Sequence, residues 1–133
     1  MNAGDVLGPL TFTVTRADLV AYADASGDHN PIHQDEEVAR SVGLPGVIAH
    51  GMYTLALVGR AVAEWTDGAE VVDLGAKFTS PVVVPAEGGA EVVVAGTVKS
   101  VADGLATFAL EATCGGQKVL GMPKAVVRTG ARA

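Results

Sequence analysis

Residues 50–66 carry apolar side chains on nearly every side of a helix, with Met52, Leu55, Ala56, Val58, Ala61, Val62 and Trp65 leaving no wide polar stripe. A helix of that kind has to be covered by other structure. The rest of the chain offers the cover: residues 71–84, 90–101, 105–114 and 117–128 read as strands, separated by turn signals at 85–89, Asp103-Gly104 and Gly115-Gly116. A short alternating segment at 10–15 adds an N-terminal strand. The pattern predicts an α+β fold, an antiparallel sheet of about five strands curled around one long central helix. Residues 1–133 are expected to form a single domain, without internal repeat or low-complexity linker.

Between the first strand and the central helix, local signals predict two more helices. Thr15 offers an N-cap oxygen and Asp18, three residues on, gives an approximate capping box. Leu19, Tyr22 and Ala23 follow at helical spacing, and Gly27 suits the exit. Residues 35–42 read as a second short helix, ended by 43–46. The last few residues are expected to be loose.

Charge removes whole classes of partner. A net charge of −6, with no run of Lys or Arg, argues against nucleic acid and against an anionic membrane. The apolar helix contains Arg60 and Glu64 and, at about 1.5 Å per residue, is too short to span a bilayer. The N-terminus does not resemble a signal peptide, and the single cysteine, Cys114, excludes an internal disulfide, so a cytoplasmic location is expected. No motif surrounds Cys114 to make it a nucleophile. His29, His33 and His50 are not spaced as a zinc frame, and neither a metal nor a bound cofactor is expected.

The segment Tyr22-Ala-Asp-Ala-Ser-Gly-Asp-His-Asn-Pro-Ile-His33 carries the chemistry. It sets a carboxylate, Asp28, five residues before an imidazole, His33, with Pro31 between them to break any helix. Such a pair on a bent loop suits general acid–base work at neutral pH; the bland alternative is a turn-capping Asp beside a surface His. Asn30 either shapes this loop or is a plain Asn-Pro turn residue.

This segment resembles the signature of the MaoC-like (R)-specific enoyl-thioester hydratases and 3-hydroxyacyl-thioester dehydratases: an aromatic (Tyr22), Ser26-Gly27-Asp28, Asn30-Pro31-Ile32-His33, then Ala39. Ala49-His50-Gly51-Met52 is similar to the family's entry into its central helix, and Phe78-Thr79-Ser80-Pro81-Val82 to the strand beyond it. The likeness covers most of the chain, and is greatest to the catalytic subunit type of actinobacterial, mycolic-acid-type dehydratases.

The resemblance implies a hot-dog fold and a homodimer, or a heterodimer with a related subunit, with active sites at the interface. It implies reversible addition of water across the C2=C3 bond of an acyl-thioester carried by coenzyme A or acyl carrier protein. Asp28 and His33 would be the catalytic pair, and the Gly51 amide, at the helix start, would polarise the thioester carbonyl. His50 either positions the loop or merely packs. Tyr22 and Tyr53 either line an acyl tunnel or fill the core. Some stand-alone relatives have serine where this chain has Gly59, which could instead open room for an acyl chain. Arg60 is expected to pair with Glu64 one turn on or, less simply, to meet the carrier's phosphate. Carrier docking would need a local basic patch drawn from Arg40, Lys77, Lys99, Lys118, Lys124 or Arg128. The rivals are a hot-dog thioesterase, which needs no such Asp/His loop, and a non-catalytic acyl-binding partner subunit.

Overall fold

Strand β1 (Val6–Val14) starts earlier than the alternating pattern suggested, because Leu7 and Leu10 both pair with β3 across a break in register that accommodates Pro9. The computed structural model describes residues 1–129; the expectation of a loose C-terminus falls largely outside them. Thr15 then caps α1 (Arg16–Ser26): its hydroxyl accepts the Asp18 amide at 3.2 Å, and the Asp18 carboxylate accepts the Thr15 amide at 2.8 Å. Gly27 closes the helix in the left-handed region, at φ 81°.

Pro31 does more than bend the next loop. It opens a single 3₁₀ turn, Pro31–His33, capped by the Asn30 side-chain oxygen on the Ile32 amide at 3.2 Å. Helix α2 (Glu36–Ser41) and the central helix α3 (Gly51–Trp65) follow.

The sheet is antiparallel in the order β1-β3-β4-β6-β2, built from β2 (Val71–Phe78), β3 (Ala90–Ala102), β4 (Leu105–Cys114) and β6 (Leu120–Arg128). A two-residue sixth strand, β5 (Gln117–Lys118), pairs with β4. The expected strand at 117–128 is therefore split at Val119, whose amide turns to the Ala112 carbonyl at 3.0 Å. Two hairpins follow their dipeptides: Asp103-Gly104 (φ 56° and 75°) and Gly115-Gly116 (φ 60° and 80°) take the positive angles of a tight two-residue turn. The expected strand at 71–84 ends at Phe78, and the chain then leaves the sheet so that Val83 bridges Ile48 instead.

Helix α3 contacts β1, β2, β3 and β6, so the sheet curls around it in the hot-dog arrangement. Leu57, Val58, Ala61 and Val62 are buried against strand residues such as Val92, Val94, Phe108 and Val127. Burial is not complete, however. Met52, Ala56, Arg60 and Ala63 form an exposed stripe, because the sheet of one chain wraps only part of the helix circumference. Arg60 accordingly needs no buried partner. Its guanidinium lies 5.4 Å above the Phe12 ring, and no Arg60–Glu64 ion pair forms among the described residues. The room expected beside Gly59 is also taken: Leu74 Cδ2 lies 3.3 Å from where a Cβ would stand.

Candidate active site

Two chain segments meet at the N-terminus of α3. The first is the loop 28–33, and the second is the run 47–51 that leads into the helix. Ile48 donates its amide to the Ile32 carbonyl at 3.2 Å, and its own carbonyl accepts from His33 Nδ1 at 2.7 Å. His50 Nε2 donates to the main-chain carbonyl of Asp28 at 3.1 Å. On its other side this run is tied to residues 82–84, through Ala49 N–H to Val82 O and Val84 N–H to Val47 O, each 2.9 Å.

Those bonds fix the chemistry of His33. A carbonyl only accepts, so Nδ1 carries the proton and the neutral ring keeps its Nε2 lone pair free. His33 is 7% exposed, whereas Asp28 is exposed, with Oδ1 accepting the Asn30 amide at 3.2 Å. A carboxylate oxygen of Asp28 and a ring nitrogen from each of His33 and His50 lie within 4.8 Å of one another. The grouping is not arranged as a chelate. The two imidazoles are stacked, with centroids 3.8 Å apart and planes only 22° apart, so their lone pairs lie in nearly parallel, separate planes instead of converging on one point at the ~2.0–2.1 Å of a Zn–N bond.

These groups line a cavity of about 540 Å³ together with Tyr22, Gly51, Phe78 and Leu120. Helix α3 points its N-terminus into it. His50 stands at the N-cap without a side-chain cap bond, so the first-turn amides, that of Gly51 first, are available to a ligand group in the cavity. The absence of a Gly51 side chain has a further reason: Phe78 Cε1 lies 3.0 Å from the position a Cβ would take. The phenyl ring packs against that position, leaving the amide itself available.

Tyr22 is half-buried and belongs to both of its expected settings, since it lines the cavity and packs edge-on against His50 (4.8 Å) and Tyr53 (5.3 Å). Burial first, and then the Asp18 charge, push the Tyr53 phenol up, with Arg60 opposing. Burial pushes the Cys114 thiol up too, away from nucleophilic use. Asn30 acts locally, as the cap of the 3₁₀ turn.

Sequence reasoning missed the brace behind the site. Glu36 Oε1 accepts from Arg16 Nη2 at 3.2 Å and from the Val47 amide at 3.4 Å, while Arg16 Nε donates to Val84 O at 2.9 Å. A Cβ on Gly46 would lie 2.6 Å from that same carboxylate oxygen, so the loop approaches closely only because residue 46 is glycine. Burial pushes the Glu36 carboxyl up, but the Arg16 hydrogen bond, the Val47 amide and the charges of Arg16 and Arg40 outweigh it and hold the group below its ordinary value. The signal was a Glu and a Gly ten residues apart, with no periodicity to join them.

An exposed carboxylate and a buried imidazole in one cavity beside an open helix N-terminus, on a curled sheet around one helix, define a class, and the comparisons agree with it. The family profile described as "MaoC like domain" matches residues 3–114, and the chain belongs to that family. Over 77 residues it is 42% identical to 3-hydroxyacyl-thioester dehydratase X of Mycobacterium tuberculosis, a stretch covering 57% of this chain and 26% of that protein. A solved "MaoC-like dehydratase" superposes with a TM-score of 0.93 at 36% identity, over 98% of this chain and 41% of the other. The (R)-hydratase from A. caviae involved in PHA biosynthesis matches nearly end to end, with a TM-score of 0.86, 25% identity and 97% of both chains covered. The chain thus spans well under two thirds of the length of the first two relatives.

Proposed function

We propose that this protein is a (3R)-hydroxyacyl-thioester dehydratase and, in reverse, an (R)-specific enoyl-thioester hydratase, acting as one hot-dog domain. The observation that carries the reading is the convergence of Asp28 and His33 in one cavity, with the His33 tautomer set by Ile48 so that Nε2 faces its work unprotonated. In hydration a water lies between the carboxylate and Nε2. One O–H bond of the water breaks, its proton passing to the Asp28/His33 pair, as its oxygen bonds to C3, and the electron pair of the C2=C3 bond moves through the thioester onto the carbonyl oxygen. The Gly51 amide at the start of α3 stabilises that charge. As the electrons return to C2, the pair gives that proton to C2 and ends as it began. Dehydration is the same sequence reversed.

The names of the relatives in M. tuberculosis and A. caviae support an acyl-thioester substrate, carried by coenzyme A or acyl carrier protein. Among the cations suggested for carrier docking, Arg40, Lys124 and Arg128 have carboxylate partners in Glu36, Asp73 and Glu70. Lys77 and Lys118 are better placed for the task, since each directly precedes a residue of the cavity wall, Phe78 and Val119. The chain is proposed to work as a dimer, with itself or with a related hot-dog subunit. The exposed Met52 and Ala56 of α3 and the exposed Val71 and Val72 of the edge strand β2 are apolar surface that a second subunit would cover. A cytoplasmic site of action fits, as no helix among the described residues is long and apolar enough to cross a membrane.

The test is substitution of the pair. Asp28→Asn and His33→Ala should each lower kcat on crotonyl-CoA by at least ~10²-fold with the circular dichroism spectrum unchanged. Wild-type turnover in either folded variant would remove the mechanism.

A further inference from the structure

His50 is the most buried ionisable side chain near the site, at 2% exposure, and the chemistry just proposed gives it no step. Its Nε2–H holds the main-chain carbonyl of Asp28 at 3.1 Å, while its ring lies flat against His33 at 3.8 Å and takes the edge of Tyr22 on its flank. Its remaining nitrogen, Nδ1, is buried without a hydrogen-bond partner among the described residues. Leaving a polar atom so enclosed is costly unless the ring serves a purpose that an apolar side chain would not. A residue there only to fill space would be expected to be apolar.

We propose that His50 is a positioning residue for the acid–base pair, acting on its two members through two different parts of one ring. The N–H sets where Asp28 begins its turn, and the flat face sets the plane of His33. The two catalytic groups sit on one short loop whose internal bonds order its main chain through Asn30 but leave the loop as a whole and the plane of the His33 ring to be set from outside it. The Asp28 main chain is tied to Ser26 and, through its side chain, to Asn30, and the His33 amide to the Asn30 carbonyl, but the His33 ring is hydrogen-bonded through the Ile48 carbonyl, about which it can rock. His50 removes both freedoms together. It is also the residue immediately before Gly51, so one rigid unit, the N-cap and first turn of α3, registers the carboxylate, the imidazole and the amide against one another. This inference rests on the Asp28/His33 reading, and it concerns alignment, not contact with substrate.

Two variants separate the two roles. His50→Gln keeps a donor close to Nε2 and removes the flat ring; His50→Phe keeps the ring and removes the donor. Each should lower kcat on crotonyl-CoA by about 10- to 100-fold, the scale of an ångström of misplacement, with KM within about threefold of wild type. The ¹⁵N spectrum of the imidazoles gives a readout independent of turnover. The sharp Nδ1–H pattern of His33 should persist in His50→Phe and average between tautomers in His50→Gln. If both variants turn over within threefold of wild type while Asp28→Asn is inactive, the positioning role is wrong and the catalytic reading stands. If Asp28→Asn is as active as wild type, the catalytic reading has failed, and His50 is judged on the spectra alone. An unchanged His33 pattern in His50→Gln then overturns the proposal.

Discussion

Replacing Gly51 by alanine separates what the helix start does for the fold from what it does for chemistry. The new Cβ would meet three atoms of the Phe78 ring at 3.0–3.1 Å, which the ring relieves by withdrawing a few tenths of an ångström. Phe78 is 58% exposed, so it can swing at little cost. Alanine also recovers part of the ~0.5–1 kcal/mol that glycine loses in a helix. The two effects nearly cancel, and the melting temperature should move by no more than about 5 °C in either direction. Turnover should not be spared. The methyl group is added beside the Gly51 amide, where the proposed thioester oxygen gains its charge, and loss of one such donor costs ~10²–10³-fold in kcat. The assay is thermal unfolding followed by circular dichroism, beside hydration of crotonyl-CoA followed by loss of the enoyl absorbance. A stable variant with kcat within about threefold of wild type would refute the role given to the amide. A fall of more than about 10 °C would refute the mobility given to Phe78.

Two further outcomes follow from the same geometry. Glu36 has its carboxyl held below the ordinary value in the folded chain, so its contribution to stability is full above the unfolded pKa and is lost as pH falls through the lower, native one; Glu36→Gln should therefore melt below wild type at pH 7, with the gap closing in acid, as thermal melts across pH would show. Because Asp28 and His33 are proposed to act on one water, the double variant Asp28→Asn/His33→Ala should lose little more activity than the worse single one, and a multiplicative loss in kcat would mean that they act separately.

Much of the fold was legible because its signals are local. The capping box at Thr15 and Asp18, the left-handed exit at Gly27 and the tight turns at Asp103-Gly104 and Gly115-Gly116 each depend on residues within a few positions of one another. The limits of α3 followed from apolar periodicity for the same reason. What escaped depends on partners distant in sequence. Strand β2 stops at Phe78 although Val82, Val83 and Val84 still look like strand, because residues 82–84 are bonded to the run 47–49. An apolar helix does not say how much of its girth one sheet can wrap, and Arg60 chose the Phe12 ring over the nearby Glu64.

The site divides in the same way. Asp28 and His33 were visible as a motif, but the Ile48 carbonyl that sets the His33 tautomer is a main-chain group, and any residue at 48 other than a distorted one would present it. Gly59 was read as room for an acyl chain, and the structure sets Leu74 against it; Gly51 was read for its amide, and the structure adds that Phe78 packs where its Cβ would stand. A glycine announces that a Cβ is unwelcome, not what excludes it.

The most direct test of the whole account is the stereochemistry of the product made from crotonyl-CoA by the purified chain alone. The account predicts loss of the enoyl absorbance with formation of (3R)-hydroxybutyryl-CoA, and no release of free coenzyme A thiol. Formation of the (3S) product, or free thiol without any hydroxyacyl product, would contradict it.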